Sequence, residues 1–204
     1  MRPWTPRPGA RASTSPPAAH LDLKAVGAET TGPDPHFWLD PPRYADVGDA
    51  VAQRLARLDP AHRAAYEANA RTFRATMTTL DAQFRTGLAH CTTSELVTSH
   101  AAFGYLGRRY GLHQDSITGL DPEAEPDPAT LARISQHVRA AGATTVYAET
   151  LVSPAVAQTV ARETGARLAV LDPIEGITGV SAGRDYPAVM RANLATLRIG
   201  QDCQ

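Results

Sequence analysis

From Tyr44 onward, apolar residues return at helical intervals. Tyr44, Val47, Val51, Leu55 and Leu58 step by three and four, and Asp40-Pro41-Pro42 ahead of them reads as an N-cap with proline in the first turn. Asp59-Pro60 restarts the chain. A longer stripe then follows at Tyr66, Ala70, Phe73, Met77, Leu80, Phe84 and Leu88. A helix from about residue 60 to 88 is roughly 43 Å long, a rod suited to running along or between lobes.

Beyond this rod the pattern changes. Short strands are expected at Glu95–Thr98, Leu112–Thr118, Thr144–Ala148 and Arg167–Leu171. Helices are expected between them at Ala101–Tyr110, Ala129–Ala141 and Pro154–Thr164, with a last one at Tyr186–Leu197. This alternation predicts an α/β fold: a four-stranded, mostly parallel sheet flanked by helices. The expected division is 1–33 as a disordered or non-homologous segment, 34–58 as a remnant of an N-terminal lobe, 59–89 as the long linking helix and 90–204 as the C-terminal lobe.

The composition is globular, with 43% hydrophobic and 20% charged residues among 204. A formal net charge of −1 gives no reason to expect nucleic acid as a partner. No apolar run approaches the roughly 18 residues of a membrane-spanning helix. The opening stretch, MRPWTPRPGARASTSPP, is basic but has no apolar core, so it does not read as a signal peptide. The two cysteines, Cys91 and Cys203, would be free thiols in a reducing compartment and a disulfide in an oxidising one.

In an open parallel sheet, ligands bind at the carboxyl ends of the strands. His100 follows the first predicted strand, Glu149 the third and Asp172 the fourth. Imidazole and carboxylate together suit Zn²⁺ and similar ions. His36, in Asp34-Pro-His-Phe-Trp-Leu-Asp-Pro41, is a further candidate on a stiff turn. Taken singly, such residues are ordinarily structural: a histidine at a strand end hydrogen-bonds locally, and an aspartate before proline caps a turn. Glu149 is placed to hydrogen-bond a ligating histidine from behind. His20, His62, His90, His113 and His137 read as ordinary, and Glu123 and Glu125 as solvated.

Three segments, taken in order, resemble signatures of the zinc/manganese ABC-transporter solute-binding proteins: Asp34–Pro41, Val97-Thr-Ser-His-Ala-Ala-Phe-Gly-Tyr-Leu106 and Leu171-Asp-Pro-Ile-Glu-Gly176. Gly119–Pro126 and Tyr147–Pro154 are also similar to that family, and the likeness runs from about Asp34 to the C-terminus. It implies two α/β lobes joined by one long helix, with the metal between them. By this resemblance His36, His100 and Asp172 are the metal ligands and Glu149 stands behind them. Histidine at position 100 resembles the zinc-type branch, so Zn²⁺ is the expected transported ion and Mn²⁺ the alternative. The implied partners are the permease and ATPase subunits of an importer, and the implied place is periplasmic, extracellular or membrane-anchored. A monomer without enzymatic activity is expected, and a Cys91–Cys203 disulfide.

The departure from the family lies at the start. Members carry a whole first lobe before the Asp-Pro-His segment, and it supplies one more histidine. Only 33 residues precede Asp34 here, and His20 sits in no matching motif, so a truncated chain is expected. Two other readings compete: a zinc-dependent hydrolase with Glu149 as general base, and a nonfunctional fragment.

Overall fold

The computed structural model of the chain describes residues 17–24, 32–121, 123, 125–150 and 153–204. The expected disorder of residues 1–16 and 25–31 lies outside them. Helix α1, Pro41–Leu58, opens where Asp40 accepts a hydrogen bond from the Arg43 backbone N–H at 3.3 Å, and it stops at Asp59-Pro60. One 3₁₀ turn, Pro60–His62, leads into α2, Arg63–Gly87. At 25 residues α2 is about 38 Å long, and it doubles back along α1.

Four strands follow, β1 (Glu95–Thr98), β2 (His113–Ser116), β3 (Thr145–Ala148) and β4 (Arg167–Val170). They form one sheet in the order β2-β1-β3-β4, and every pairing is parallel. The intervening helices are α3 (Gly104–Tyr110), α4 (Pro128–Ala140) and α5 (Ala155–Thr164), and α6 (Tyr186–Gly200) closes the chain. The α/β class and the four parallel strands match the expectation. Among the described residues no helix is long and apolar enough to cross a membrane.

Two apolar layers sandwich the sheet. Leu96, Tyr147 and Leu171 pack against Met77, Leu80 and Phe84 of α2 and against Met190 and Leu197 of α6. On the other face Val97, Val146 and Ala148 pack against Ile134 and Val138 of α4 and Val160 of α5. Strand residues alternate between these layers, as a pleated sheet buried on both sides requires.

The differences from expectation have local causes. Helix α3 begins at Gly104 and not at Ala101, because residues 99–103 form a loop: Ala101 N–H donates to Gly119 O and Thr118 N–H to Ser99 O. It ends at Gly111, whose φ of 78° suits a residue without Cβ. Helix α4 begins at Pro128, where Asp127 accepts from the Thr130 backbone N–H at 2.9 Å.

Part of the first 33 residues is tied to the fold. Ala19 is fully buried, Arg43 donates to the carbonyls of Ala19 and His20, and Leu23 N–H donates to the Tyr105 hydroxyl. Asp22 pairs with Arg108 at 2.7 Å, and Lys24 bridges to Pro33. These are mostly polar and backbone contacts, which leave no hydrophobic period in the sequence.

Cys91 and Cys203 are joined, across a separation of 112 residues. The backbone around them pairs as well, with Thr92 N–H donating to Gln201 O and Gln204 N–H to His90 O. Closing so long a loop removes much of the unfolded chain's freedom. Replacing both cysteines with alanine is expected to lower the unfolding free energy by about 2–4 kcal/mol in denaturant titration. Two free thiols in denatured, unreduced protein would refute the pairing.

Candidate metal centre

The carboxyl edge of the sheet carries a cluster of buried polar side chains. His100, in the loop after β1, is fully buried, and His36, on the turn before α1, is nearly so. Their rings meet edge to face, 5.3 Å between centroids. Each ring has a carboxylate behind it. His36 Nδ1 lies 2.7 Å from Asp34 Oδ1, which also accepts the His36 backbone N–H at 2.9 Å. His100 Nδ1 lies 2.6 Å from Glu149 Oε2, and Glu149 Oε1 accepts the His100 backbone N–H at 2.9 Å. A carboxylate at Nδ1 takes the ring proton there and leaves the Nε2 lone pair outward, the form that ligates a metal.

Both Nε2 atoms point to one carboxylate. Glu175 Oε1 lies 3.1 Å from His36 Nε2 and 3.6 Å from His100 Nε2. One ligand atom each from His36, His100 and Glu175 all fall within 4.8 Å of one another, and among the described residues this is the group placed to hold a metal ion. Two imidazole nitrogens and one carboxylate oxygen form a zinc-type donor set that leaves a position for a further ligand.

The structure therefore brings together two of the three predicted ligands, with Glu175 in the third place. Asp172 is buried nearby but is turned to the backbone. Its Oδ1 accepts the Ile174 N–H at 2.8 Å, while its own backbone N–H and carbonyl are held by the Asn193 side chain at 2.9 and 2.7 Å. Asp172 Oδ2 has no partner among the described residues. Ile174, between Asp172 and Glu175, has a φ of 57°, a costly conformation for a β-branched residue. The bend it makes carries Glu175 to the histidines. Glu149 stands behind His100, where it was expected. Asp34 was missed, although its place two residues before His36 in Asp-Pro-His was the available signal. Glu175 was quoted in Asp-Pro-Ile-Glu but passed over, because the strand-end rule stops at Asp172.

Other contacts hold the two loops together. The Trp38 indole N–H donates to Pro173 O at 2.8 Å, and the Tyr186 hydroxyl donates to Trp38 O at 2.6 Å. The turn bearing His36 is thus fastened to the turn bearing Glu175.

Comparison with known proteins now gives the chain a family. The family model for the periplasmic zinc-uptake complex component A, ZnuA, matches residues 7–200. The chain belongs to this family. The match begins well before Asp34, so it includes the segment from Ala19 to Lys24. The zinc-binding protein AdcA of Streptococcus pyogenes serotype M1 is 40% identical over 171 residues, which are 83% of this chain and 33% of that protein. The high-affinity zinc uptake system protein ZnuA of Bacillus subtilis is 34% identical over 167 residues, 81% of this chain and 52% of that one. The chain thus spans about a third of one relative and half of the other. Among solved structures, the Zn(II)-bound ZnuA-like domain of Streptococcus pneumoniae AdcA is 34% identical with a TM-score of 0.72, covering 90% of this chain and 69% of that one. A Zn(II)-bound mutant variant of AdcAII from the same organism has a TM-score of 0.78 at 30% identity, with 90% and 69% covered.

The centre is highly charged. Burial pushes the His100 pKa down, but the Glu149 and Glu175 carboxylates outweigh it and hold the imidazole up at about 9. His36 is likewise raised: burial opposes, and Asp34 and Glu175 prevail. The imidazoles of His100 and His36 in turn hold the Glu175 carboxyl well below the usual range. For His100 the protonated ring favours the folded state. That stabilisation is complete below about pH 6.5 and is lost as pH rises through about 9. Metal-free protein is therefore expected to lose thermal stability across this window, and Glu149→Gln to lose less. Identical pH profiles for wild type and variant would contradict this account of His100.

Proposed function

We propose that this chain is the zinc-binding part of a solute-binding component that delivers its ion to an ABC importer. The observation that carries the reading is the convergence of His36 Nε2, His100 Nε2 and Glu175 Oε1 on one spot, with Asp34 and Glu149 behind the two rings. In this reading His36, His100 and Glu175 are ligands, Asp34 and Glu149 orient the imidazoles, and Asp172 holds the turn that presents Glu175. With neutral rings, the three carboxylates bring more than enough negative charge to offset a divalent ion. The nitrogen-rich set favours Zn²⁺ over Mn²⁺.

The relatives support the rest of the proposal. Their names describe zinc binding and zinc uptake, one is called a lipoprotein and the family is described as periplasmic. Permease and ATPase subunits are the proposed partners, a monomer the proposed state and the outside of the cytoplasmic membrane the proposed place. Residues 59–89 fit a linking helix between a first lobe, to which 34–58 would belong, and the lobe formed by 90–204.

A zinc hydrolase is disfavoured by Glu149, its candidate base. It faces the Nδ1 side of His100, with Oε2 2.6 Å from Nδ1 and Oε1 accepting the backbone N–H. That is the side of the ring away from Nε2, where an ion and its water would lie. The family is one of solute-binding proteins, which agrees.

Calorimetric titration of metal-free protein with zinc chloride and with manganese chloride tests the proposal. Zinc is expected to bind more tightly. Asp34→Ala and Glu149→Ala should each weaken zinc binding by about 10–100-fold, the usual effect of losing a group that orients a ligand. His100→Ala and Glu175→Gln should weaken it more than either. Unchanged affinity in the last two variants would remove the site.

A further inference from the structure

The segment before Asp34 meets the metal centre through one buried hydroxyl. Leu23 N–H donates to the Tyr105 hydroxyl at 3.3 Å, and that hydroxyl donates to Asp34 O at 3.2 Å. Asp34 N–H donates back to Leu23 O at 2.9 Å. The main chain of Asp34 is therefore held at its N–H by Leu23 and at its carbonyl by Tyr105. Asp34 Oδ1 accepts from the His36 backbone N–H and faces the His36 ring. Its Oδ2 lies 3.0 Å from the point where a Cβ on Gly104 would stand, and Leu23 Cδ1 lies 3.3 Å from the same point. A side chain at position 104 would compete for the space that the carboxylate fills.

Tyr105 also joins the two imidazole loops. Helix α3 opens directly after the loop that bears His100, so Tyr105 stands five residues past that histidine. The same residue grips the chain two residues before His36. Glu149 follows β3, and the pairing of β1 with β3 sets its place beside His100. His36 has no strand beneath it. Trp38 and Tyr186 fasten its turn after the histidine, and Tyr105 fastens it before.

Tyr105 is fully buried, with the Arg43 and Arg108 guanidinium groups 4.7 and 5.7 Å from its ring centroid. Asp22 pairs with both arginines, at 3.0 and 2.7 Å. Asp22 is 54% exposed, so water screens these pairs and they contribute little. The hydroxyl weighs more, because without it the Asp34 carbonyl is buried and loses its partner.

We propose that Tyr105 is a positioning residue for zinc: its hydroxyl fixes Asp34, and through Asp34 the His36 imidazole, while Gly104 leaves room for the carboxylate. This rests on the assignment of His36, His100 and Glu175 as ligands.

Calorimetric titration of the full chain with zinc chloride, with folding checked by circular dichroism, tests it. Tyr105→Phe keeps the ring and should weaken zinc binding by about 3–10-fold, less than the loss of an orienting carboxylate itself. Gly104→Ala should also weaken it. Tyr110→Phe removes another hydroxyl of α3, one bonded to Asp81 Oδ1, and should bind zinc like wild type. In an Asp34→Ala background, Tyr105→Phe should cause no further loss, because the two act through one path. In ring-nitrogen NMR spectra of zinc-loaded protein, Tyr105→Phe should broaden the His36 signals and leave those of His100 sharp. Wild-type affinity in Tyr105→Phe, an equal loss in Tyr110→Phe, or the same loss with and without Asp34 would each overturn the proposal. If Glu175→Gln and Asp34→Ala also bound zinc like wild type, the centre itself would be wrong and this proposal would fall with it. A loss in those two with none in Tyr105→Phe would remove this proposal alone.

Discussion

The contacts of Asp34 and Glu149 with the buried rings of His36 and His100 determine what this centre can be. A buried imidazole has two tautomers, and the wrong one would turn an N–H toward the ion. A carboxylate at 2.7 or 2.6 Å from Nδ1 removes that choice. The same carboxylates accept the histidine backbone N–H groups, so each fixes its ring and its loop together. Burial would otherwise drive these rings toward the neutral form. Instead the clustered carboxylates raise the pKa of both, so a metal binding at these lone pairs would have to displace protons.

The sheet supplies the geometry that makes such contacts repeatable. Strands β1 and β3 are neighbours, so the loops that follow them place His100 beside Glu149. The chain after β4 returns Glu175 from the same edge through the bend at Ile174. His36 comes from a different part of the chain, and the hydrogen bonds of Trp38 and Tyr186 bring its turn to that edge.

Periodicity and strand-end position carried the reading a long way. The α1 and α2 stripes and the four strands follow from spacing and residue type, and position made His36, His100 and Glu149 candidates; the family resemblance, not spacing, singled out the two histidines as ligands. Glu175 followed from neither, because it reaches the centre through a left-handed isoleucine that no propensity favours. Asp172 was a reasonable choice by strand-end logic, yet its Oδ1 is engaged by the Ile174 backbone N–H within its own turn. The segment around Ala19 was missed because its ties are polar and backbone contacts without an apolar period.

The disulfide gives the molecule a covalent ring from Cys91 to Cys203, and the ring contains His100 and Glu175 but not His36. The helical hairpin of α1 and α2, with the turn before it, hangs from this ring by a single chain connection. An ion shared by His36, His100 and Glu175 would add a removable link between this arm and the ring, beside the packing of Met77, Leu80 and Phe84 and the hydrogen bonds of Trp38. Loading would then change the connectivity of the chain as well as its charge.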